Sequence, residues 1–284
     1  MSPSSQPAFQ TAPPRAVPPR AVPLAAAAKG AAAGAESGSP EIPSPGIGWL
    51  HAPPARQTGG GALLAIPPFA EEAKSVARLL GDTARRIAPD GWFTLLFDLF
   101  GTGDAPGDFY DATWERWNAD VDAALDVLSA ESGRDDVSIL SIRASARLAI
   151  ETAWRRPERV RSLVFVEPAP DTAAWLRASQ RRSQFRLGPA RAALPENDVD
   201  GFVYGPALWR DLMAPPPTER AEPPPGIYSS VLAVAPGGRA SASMPRLARE
   251  WKAAFASVDM MPFWLESDAV SGEALATAVQ ALLI

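Results

Sequence analysis

Short apolar runs alternate with longer segments of helical periodicity along most of this chain. Runs rich in β-branched residues and leucine predict strands at residues 47–50, 62–66, 92–97, 137–140 and 163–166. Apolar side chains at helical spacing predict helices at residues 74–87, 112–128 and 146–154. Strands that alternate with helices imply a mostly parallel sheet with helices on both faces. We therefore expect an α/β fold.

This alternation stops after residue 168 and resumes near residue 228. The intervening residues 171–225 are rich in arginine, proline and alanine, so we interpret them as an insertion. Beyond them, residues 228–235 and 254–260 predict strands, residues 247–253 a helix, and residues 272–283 the final helix.

The first 45 residues differ in composition from the rest. They hold ten of the 31 prolines, and they contain a tandem repeat of Pro-Pro-Arg-Ala-Val at residues 13–17 and 18–22. Such a segment buries too little apolar surface to offset its ordering entropy, so we predict a disordered tail at residues 1–45 and one folded domain at residues 46–284. A polyproline ligand with flanking arginines is the functional alternative for the tail.

Composition excludes several classes of function. A net charge of −5 and a pI near 5.1 argue against nucleic acid or an anionic membrane surface as partner. The chain has no cysteine, and no apolar run reaches the roughly 20 residues of a membrane span. Since no secretory signal is recognisable, we expect a cytoplasmic protein. We expect neither a metal nor a cofactor, and the absence of cysteine excludes a thiolate metal site.

Residues 137–168 carry the most informative pattern: strand, tight turn, helix and strand. This unit resembles the nucleophile elbow of the α/β-hydrolase superfamily, whose turn reads Gly-x-Ser-x-Gly. Ser141 and Ser145 stand at the two glycine positions, and Arg143 stands where the nucleophilic serine would be. The following residues 157–168, PERVRSLVFVEP, are similar to the superfamily's continuation. The resemblance implies an α/β-hydrolase fold in which residues 171–225 form a small cap.

A serine hydrolase needs a nucleophile, a base, an orienting acid and an oxyanion hole. The guanidinium of Arg143 has no usable lone pair. The superfamily carries its orienting acid after the cap, but residues 228–247 contain no carboxylate. It carries its histidine at the position of residues 260–266, which contain no histidine. The only histidine, His51, precedes the first central strand. We interpret it as a half-exposed hairpin residue, with a relocated catalytic base as the alternative.

The two serines and Arg143 each admit two interpretations. Ser141 and Ser145 are candidates for a displaced nucleophile, although packing of small residues is the simpler role. At a helix N-terminus, Arg143 could form an anion site for a carboxylate or phosphate. Alternatively it fills the old pocket through a salt bridge. We predict that at least one of three carboxylates, those of Glu71, Glu72 and Asp104, lies within reach of Arg143.

Three further segments resemble one group within the superfamily, the hydrolases associated with the exosortase A system, second type. They are residues 66–75 (IPPFAEEAKS), residues 98–109 (DLFGTGDAPGDF) and residues 262–264 (PFW). The resemblance implies a cytoplasmic protein linked to exopolysaccharide and protein sorting, with components of that system as partners. Arginine is common at the elbow of this group. The chain departs from the pattern at Ala73 and Ala77, and in its serine-flanked turn.

The expected ligand site lies at the carboxyl end of the sheet. Phe69, Trp264 and the cap could enclose an apolar pocket there, although aromatic residues are equally good core. The ligand-binding candidates are Phe69, Glu71, Glu72, Asp104, Arg143 and Trp264. Two functions remain open. The first is a protein that acts by binding or interaction, with a small molecule such as an anion as ligand and without serine hydrolysis. The second is an active ester or thioester hydrolase with a rearranged site.

Overall fold

The computed structural model describes residues 17–24, 46–54, 59–264 and 272–283. Its strands are β1 (Arg20–Leu24), β2 (Gly46–His51), β3 (Ala62–Ile66), β4 (Phe93–Phe97), β5 (Val137–Ile142), β6 (Val160–Val166), β7 (Asp198–Val199), β8 (Phe202–Val203), β9 (Tyr228–Val234) and β10 (Ala254–Val258). Eight of them form one sheet in the order β1-β2-β4-β3-β5-β6-β9-β10. The pairs β1–β2 and β2–β4 are antiparallel and the other pairs are parallel.

Helices cover both faces of this sheet, as predicted. They are α1 (Glu71–Ile87), α2 (Trp114–Ser132), α3 (Ala146–Arg155), α4 (Thr172–Leu187), α5 (Pro206–Met213), α6 (Ser243–Glu250) and α7 (Gly272–Gln280). Side chains of β3 alternate between two cores: Leu64 belongs to the core that includes residues of α2, α3 and α6, while Leu63 and Ala65 belong to the core that includes residues of α1 and α7. Burial on both faces explains why this strand is a continuous apolar run.

The prediction that residues 1–45 form one disordered tail is wrong for residues 20–24. They pair with β2 as an edge strand, in which Val22 and Leu24 are buried and their neighbours are exposed. Pro23 fits this position because an edge strand can lack one donor. The second copy of the tandem repeat therefore contributes to the sheet, and the folded unit begins before residue 46. Residues 1–16 and 25–45 lie outside the described residues.

The insertion between β6 and β9 consists of α4, the β7–β8 hairpin and α5. We call this insertion the cap. Arg147 of α3 fastens it to the core. One nitrogen of its guanidinium, Nη1, donates to Thr172 Oγ1 at 2.9 Å and to the carbonyls of Asp211 and Ala214 at 3.1 Å each. Its Nε donates to Glu151 at 2.9 Å. Both ends of the cap are thus held by one buried side chain.

Helix α1 begins at Glu71, three residues before the predicted start at residue 74, so Glu71 and Glu72 lie in its first turn. Acidic residues are favourable at that end of a helix because of its dipole. None of the helices in the described ranges is long and apolar enough to cross a membrane.

Candidate functional site at the strand-helix turn

The turn between β5 and α3 keeps a strained backbone with arginine at its apex. Strand β5 ends at Ile142, Arg143 has φ of 60°, and α3 begins at Ala146. A positive φ in a residue other than glycine costs on the order of 1 kcal/mol and persists only where its surroundings enforce it. The carbonyl of Arg143 accepts a hydrogen bond from Ala169 N at 2.9 Å. The sharp elbow expected from the sequence is therefore present.

Ser145 helps to hold this turn. Its Oγ accepts a hydrogen bond from Ile142 N at 3.0 Å and lies 2.9 Å from the carbonyl of Ile142 and 3.2 Å from that of Ile66. Since a hydroxyl has one proton, it donates to one of these carbonyls at a time. The side chain is completely buried. Ser145 thus does more than pack as a small residue, which the sequence pattern did not reveal.

Ser141 lies in β5, also completely buried, and its Oγ makes no hydrogen bond within the described part of the chain. Neither serine is therefore presented to solvent at the apex of the turn.

The guanidinium of Arg143 lies against three groups. Its Nε is 3.4 Å from Glu72 Oε2, and its Nη1 donates to the carbonyl of Glu167 at 3.3 Å. Its Cζ lies 4.6 Å from the centre of the Trp264 ring, a distance at which a cation attracts an aromatic face. The predicted salt bridge is confirmed, with Glu72 as the partner. Trp264 belongs to the loop after β10, where the superfamily carries its catalytic histidine.

Glu72 bridges the core and the cap. While its Oε2 faces Arg143, its Oε1 accepts a hydrogen bond from Arg182 Nη2 of α4 at 3.2 Å. Its side chain is 4% exposed, against 16% for Arg143. The carboxylate of Glu72 thus lies between two guanidinium groups. Arg182 could not be identified from the sequence pattern, because its contact depends on how the cap folds back onto the core.

The other two predicted carboxylates have different contacts. Glu71 pairs with Lys74 of the same helix at 3.0 Å, on a solvent-exposed face. Asp104 is exposed, and its backbone N–H donates to Asp98 Oδ2 at 2.9 Å. Gly103 has φ of 51°, and a Cβ there would lie 2.2 Å from the same Asp98 oxygen. The glycines of this loop therefore serve its turn, and neither Glu71 nor Asp104 is paired with Arg143.

Phe69 belongs to an aromatic cluster that closes the space above the sheet. Its ring centre lies 4.7 Å from that of Trp117 and 5.7 Å from that of Trp175 in the cap. The cavity that remains between Phe69, Glu72, Trp175 and Tyr204 has a volume of about 10 Å³, room for about one water molecule. The apolar pocket expected here is almost filled by side chains.

Buried polar atoms without partners surround this cavity and the turn. Within the described residues, Trp175 Nε1, Tyr204 OH, Glu72 Oε2 and Arg143 Nε make no hydrogen bond. Each such atom costs about 1–3 kcal/mol if nothing else satisfies it. Burial, together with the charges of Glu72 and Asp200, raises the pKa of Tyr204, so its hydroxyl stays protonated and can donate.

Glu167 is a further residue of the site that sequence reasoning missed. It follows β6 with φ of 45°, and its Oε1 accepts a hydrogen bond from Val234 N at 2.8 Å. Burial raises the pKa of this carboxyl, while that hydrogen bond and the charge of Arg143 act in the opposite direction. Its position at the end of a central strand was the available signal.

His51 lies at the other edge of the sheet. His51 pairs with Thr94 near the start of β4, whereas Arg143 follows the end of β5. Strands β4 and β5 run in the same direction, because both are parallel to β3 between them. His51 and Arg143 therefore lie at opposite ends of the strands. The expectation of a half-exposed histidine is wrong, because the residue is 3% exposed. Burial, with a smaller effect of Arg85, lowers its pKa to about 4. It does not serve as a base at the turn.

The sheet order, the flanking helices and the cap together define the α/β-hydrolase fold. Solved structures with this arrangement include a protein from Agrobacterium vitis S4 named as a hydrolase, which has a TM-score of 0.56, 15% identity, and coverage of 94% of this chain and 98% of its own. Est1E from Butyrivibrio proteoclasticus has a TM-score of 0.56 and 12% identity, with 84% and 92% covered. The haloalkane dehalogenase DatA from Agrobacterium tumefaciens C58 has a TM-score of 0.50 and 18% identity, with 84% and 91% covered.

These identities show the fold alone. No protein-family model matches the sequence, and no curated protein is similar to it. Among the residues that the structure describes, no cluster of three or more histidine, aspartate and glutamate side chains is placed to hold a metal ion.

Proposed function

We propose that this protein binds a small anionic molecule at the turn around Arg143 and does not act as a serine hydrolase. The observation that carries this proposal is the position of Arg143: a cation occupies the strained apex where the fold presents its nucleophile. The backbone strain is retained although the serine chemistry that it serves in hydrolases is not available to arginine.

The two serines do not supply a substitute nucleophile. A serine hydroxyl is a weak nucleophile at neutral pH unless a base takes its proton. Ser145 already uses its hydroxyl within the turn, and Ser141 is completely buried in the sheet. The only histidine, His51, lies at the opposite edge of the sheet.

The charge and backbone of the turn favour an anion. The 3-10 turn and the N-terminus of α3 follow at Arg143, and a helix N-terminus carries partial positive charge. Arg143 and Arg182 contribute two positive charges, with the carboxylate of Glu72 between them and that of Glu167 close enough to interact with the charge of Arg143. The side chain of Arg143 is 16% exposed, so its charge is less screened than that of a surface arginine.

We also propose a cytoplasmic location and a role beside the exosortase and exopolysaccharide machinery. The support is the resemblance of residues 66–75, 98–109 and 262–264 to hydrolases associated with that system. In the structure, these segments contribute Phe69 and Glu72, the glycine-rich loop, and Trp264. Purification of the native protein from its own cells, followed by identification of co-purifying proteins, tests the association. Its absence from any such assembly would count against this part of the proposal.

Labelling with a fluorophosphonate probe tests the absence of serine hydrolysis. We expect no covalent labelling of the wild-type protein at neutral pH. Labelling that disappears in Ser141→Ala or Ser145→Ala would instead establish the alternative, an ester or thioester hydrolase with a rearranged site.

Calorimetric titration with acetate, phosphate and sulfate tests the anion site. We expect at least one of them to bind the wild-type protein, and binding to be lost in Arg143→Ala. Arg246→Ala is the control, because Arg246 pairs with Glu250 on an exposed helix. Equal affinity in the wild type and Arg143→Ala would overturn the proposal.

A further inference from the structure

We propose that the anion is a carboxylate, and that Glu72 occupies the place of this carboxylate when the site is empty. This inference rests on the proposed function and specifies its ligand. Glu72 is the one acidic side chain described between the two guanidinium groups of the site, with one oxygen toward each. An internal carboxylate in this position competes with a carboxylate from outside.

The contact between Glu72 and Arg143 is incomplete. Glu72 Oε2 and Arg143 Nε approach to 3.4 Å, yet neither atom makes a hydrogen bond. A guanidinium and a carboxylate pair best through two parallel hydrogen bonds. Glu72 is fixed by its place in the first turn of α1 and divides its oxygens between Arg143 of the turn and Arg182 of α4. A free carboxylate has no such constraint and can align with Arg143, so replacement of Glu72 recovers hydrogen bonds that the empty site lacks.

Two unpartnered donors define the rest of the ligand. Trp175 Nε1 and Tyr204 OH are buried, lack hydrogen-bond partners, and belong to residues that line the same cavity as Glu72 and Arg182. An oxygen acceptor close to the carboxylate would satisfy them. Phe69 supplies an apolar wall. The ligand class is therefore a small carboxylic acid with a second oxygen near the carboxylate, such as a 2-oxo or 2-hydroxy acid.

The size of the site agrees with a small ligand. The cavity alone holds about one water molecule. When the carboxylate of Glu72 leaves, it frees a space of the size of acetate next to this cavity, and the two volumes together accept a three-carbon acid. Larger acids would have to separate the cap from the core, which Arg147 opposes.

Calorimetric titration of acetate and pyruvate into the wild type, Glu72→Gln and Arg143→Ala tests the inference. Glutamine keeps the size of the side chain and removes its charge, so we expect Glu72→Gln to bind pyruvate at least about tenfold more tightly than the wild type. Glu115→Gln, which makes the same change at an exposed residue in the first turn of α2, is the matched control and should bind like the wild type. Equal or weaker binding by Glu72→Gln would overturn the inference.

A failure of this inference differs from a failure of the proposed function. If pyruvate binding disappears in Arg143→Ala but does not tighten in Glu72→Gln, the anion site stands and the role of Glu72 is wrong. If Arg143→Ala binds as the wild type does, or if neither the wild type nor Glu72→Gln binds any anion, both proposals fail.

Two more variants make the test independent of how well Glu72→Gln folds. Glu72→Asp retains the charge but is too short to face both arginines, so it should also bind pyruvate more tightly. Tyr204→Phe removes one unpartnered donor, and we expect pyruvate to lose most of its advantage over acetate in this variant. An unchanged preference for pyruvate in Tyr204→Phe would exclude Tyr204 from ligand recognition.

Discussion

Ser145 Oγ accepts a hydrogen bond from the backbone N–H of Ile142 at 3.0 Å, across the turn that carries Arg143. Ile142 is the last residue of β5, so this hydrogen bond links the end of the strand to the start of α3. Ser141 and Ser145 lie two positions before and two positions after Arg143. Ser141 is equally buried, but its hydroxyl has no described hydrogen-bond partner. The two serines look equivalent in the sequence but differ in their contribution to stability.

We predict that Ser145→Ala lowers the free energy of unfolding by about 1 kcal/mol, because it removes a buried hydrogen bond across the turn. Ser141→Ala removes a hydroxyl that already lacks a partner, so it should leave stability within about 0.5 kcal/mol of the wild type or increase it. Urea unfolding of both variants measures the difference. Equal destabilisation would show that the hydrogen bond of Ser145 does not hold the turn.

Much of the fold could be predicted because it depends on local patterns. The strand at residues 62–66 and the helix at residues 146–154 have apolar residues at the spacing of their elements, and both are present with boundaries that differ by at most one residue. Arg20–Leu24 could not be predicted as a strand in the same way. It is short, contains a proline, and is stabilised by the edge of a sheet that is assembled from distant residues.

The candidate site could be predicted only where strand ends determine it. Arg143 and Glu72 follow neighbouring strands, β5 and β3, at the same edge of the sheet, so their approach could be expected. Arg182 and Tyr204 come from the cap, whose path is set by packing on the core and by anchors such as Arg147. No spacing in the sequence shows which cap residues return to the turn.

Backbone strain at Arg143 predicts a difference between two substitutions. Arg143→Ala removes the contacts with Glu72 and Trp264 but keeps a residue with a Cβ at φ of 60°. Arg143→Gly removes the same contacts and also relieves the strain. We therefore expect Arg143→Gly to be more stable than Arg143→Ala by about 1 kcal/mol, despite the usual entropic cost of glycine. Thermal unfolding of the two variants measures this, and a less stable glycine variant would show that the turn is not strained.

Arg147 should control the attachment of the cap. We predict that Arg147→Met lowers the free energy of unfolding by about 3–5 kcal/mol, because Glu151 loses its buried counter-charge. Limited proteolysis should then cleave between residues 171 and 225 more quickly than in the wild type. Arg210→Ala is the surface control, since the side chain of Arg210 is exposed and pairs only with its neighbour Asp211 among the described contacts.

The double variant Arg147→Met with Glu151→Gln separates charge from packing. It removes the uncompensated carboxylate and keeps an acceptor for Trp114 Nε1, which donates to Glu151 at 2.8 Å. We expect it to be more stable than Arg147→Met alone. If the double variant were the less stable of the two, an unpaired buried charge would not be the cause of the destabilisation.

His51 predicts how stability depends on pH. Its pKa is lowered from 6.5 to about 4 in the folded protein, so the unfolded chain binds more protons between these values. Stability is therefore lost as the pH falls from about 6.5 toward 4. Since one pKa unit corresponds to about 1.4 kcal/mol, the loss reaches on the order of 3 kcal/mol. Carboxylates also titrate in this range, so the difference between the wild type and His51→Gln is the quantity to measure.

That difference should be constant above pH 7 and should shift in favour of His51→Gln as the pH falls, because glutamine takes up no proton. Since the chain has one histidine, the imidazole signal of the untagged protein can be followed by NMR without assignment of other residues. We expect its titration midpoint near pH 4. A midpoint between 6 and 7 would show that the imidazole is hydrated in the folded protein, and the stabilities of the two proteins would then change in parallel with pH.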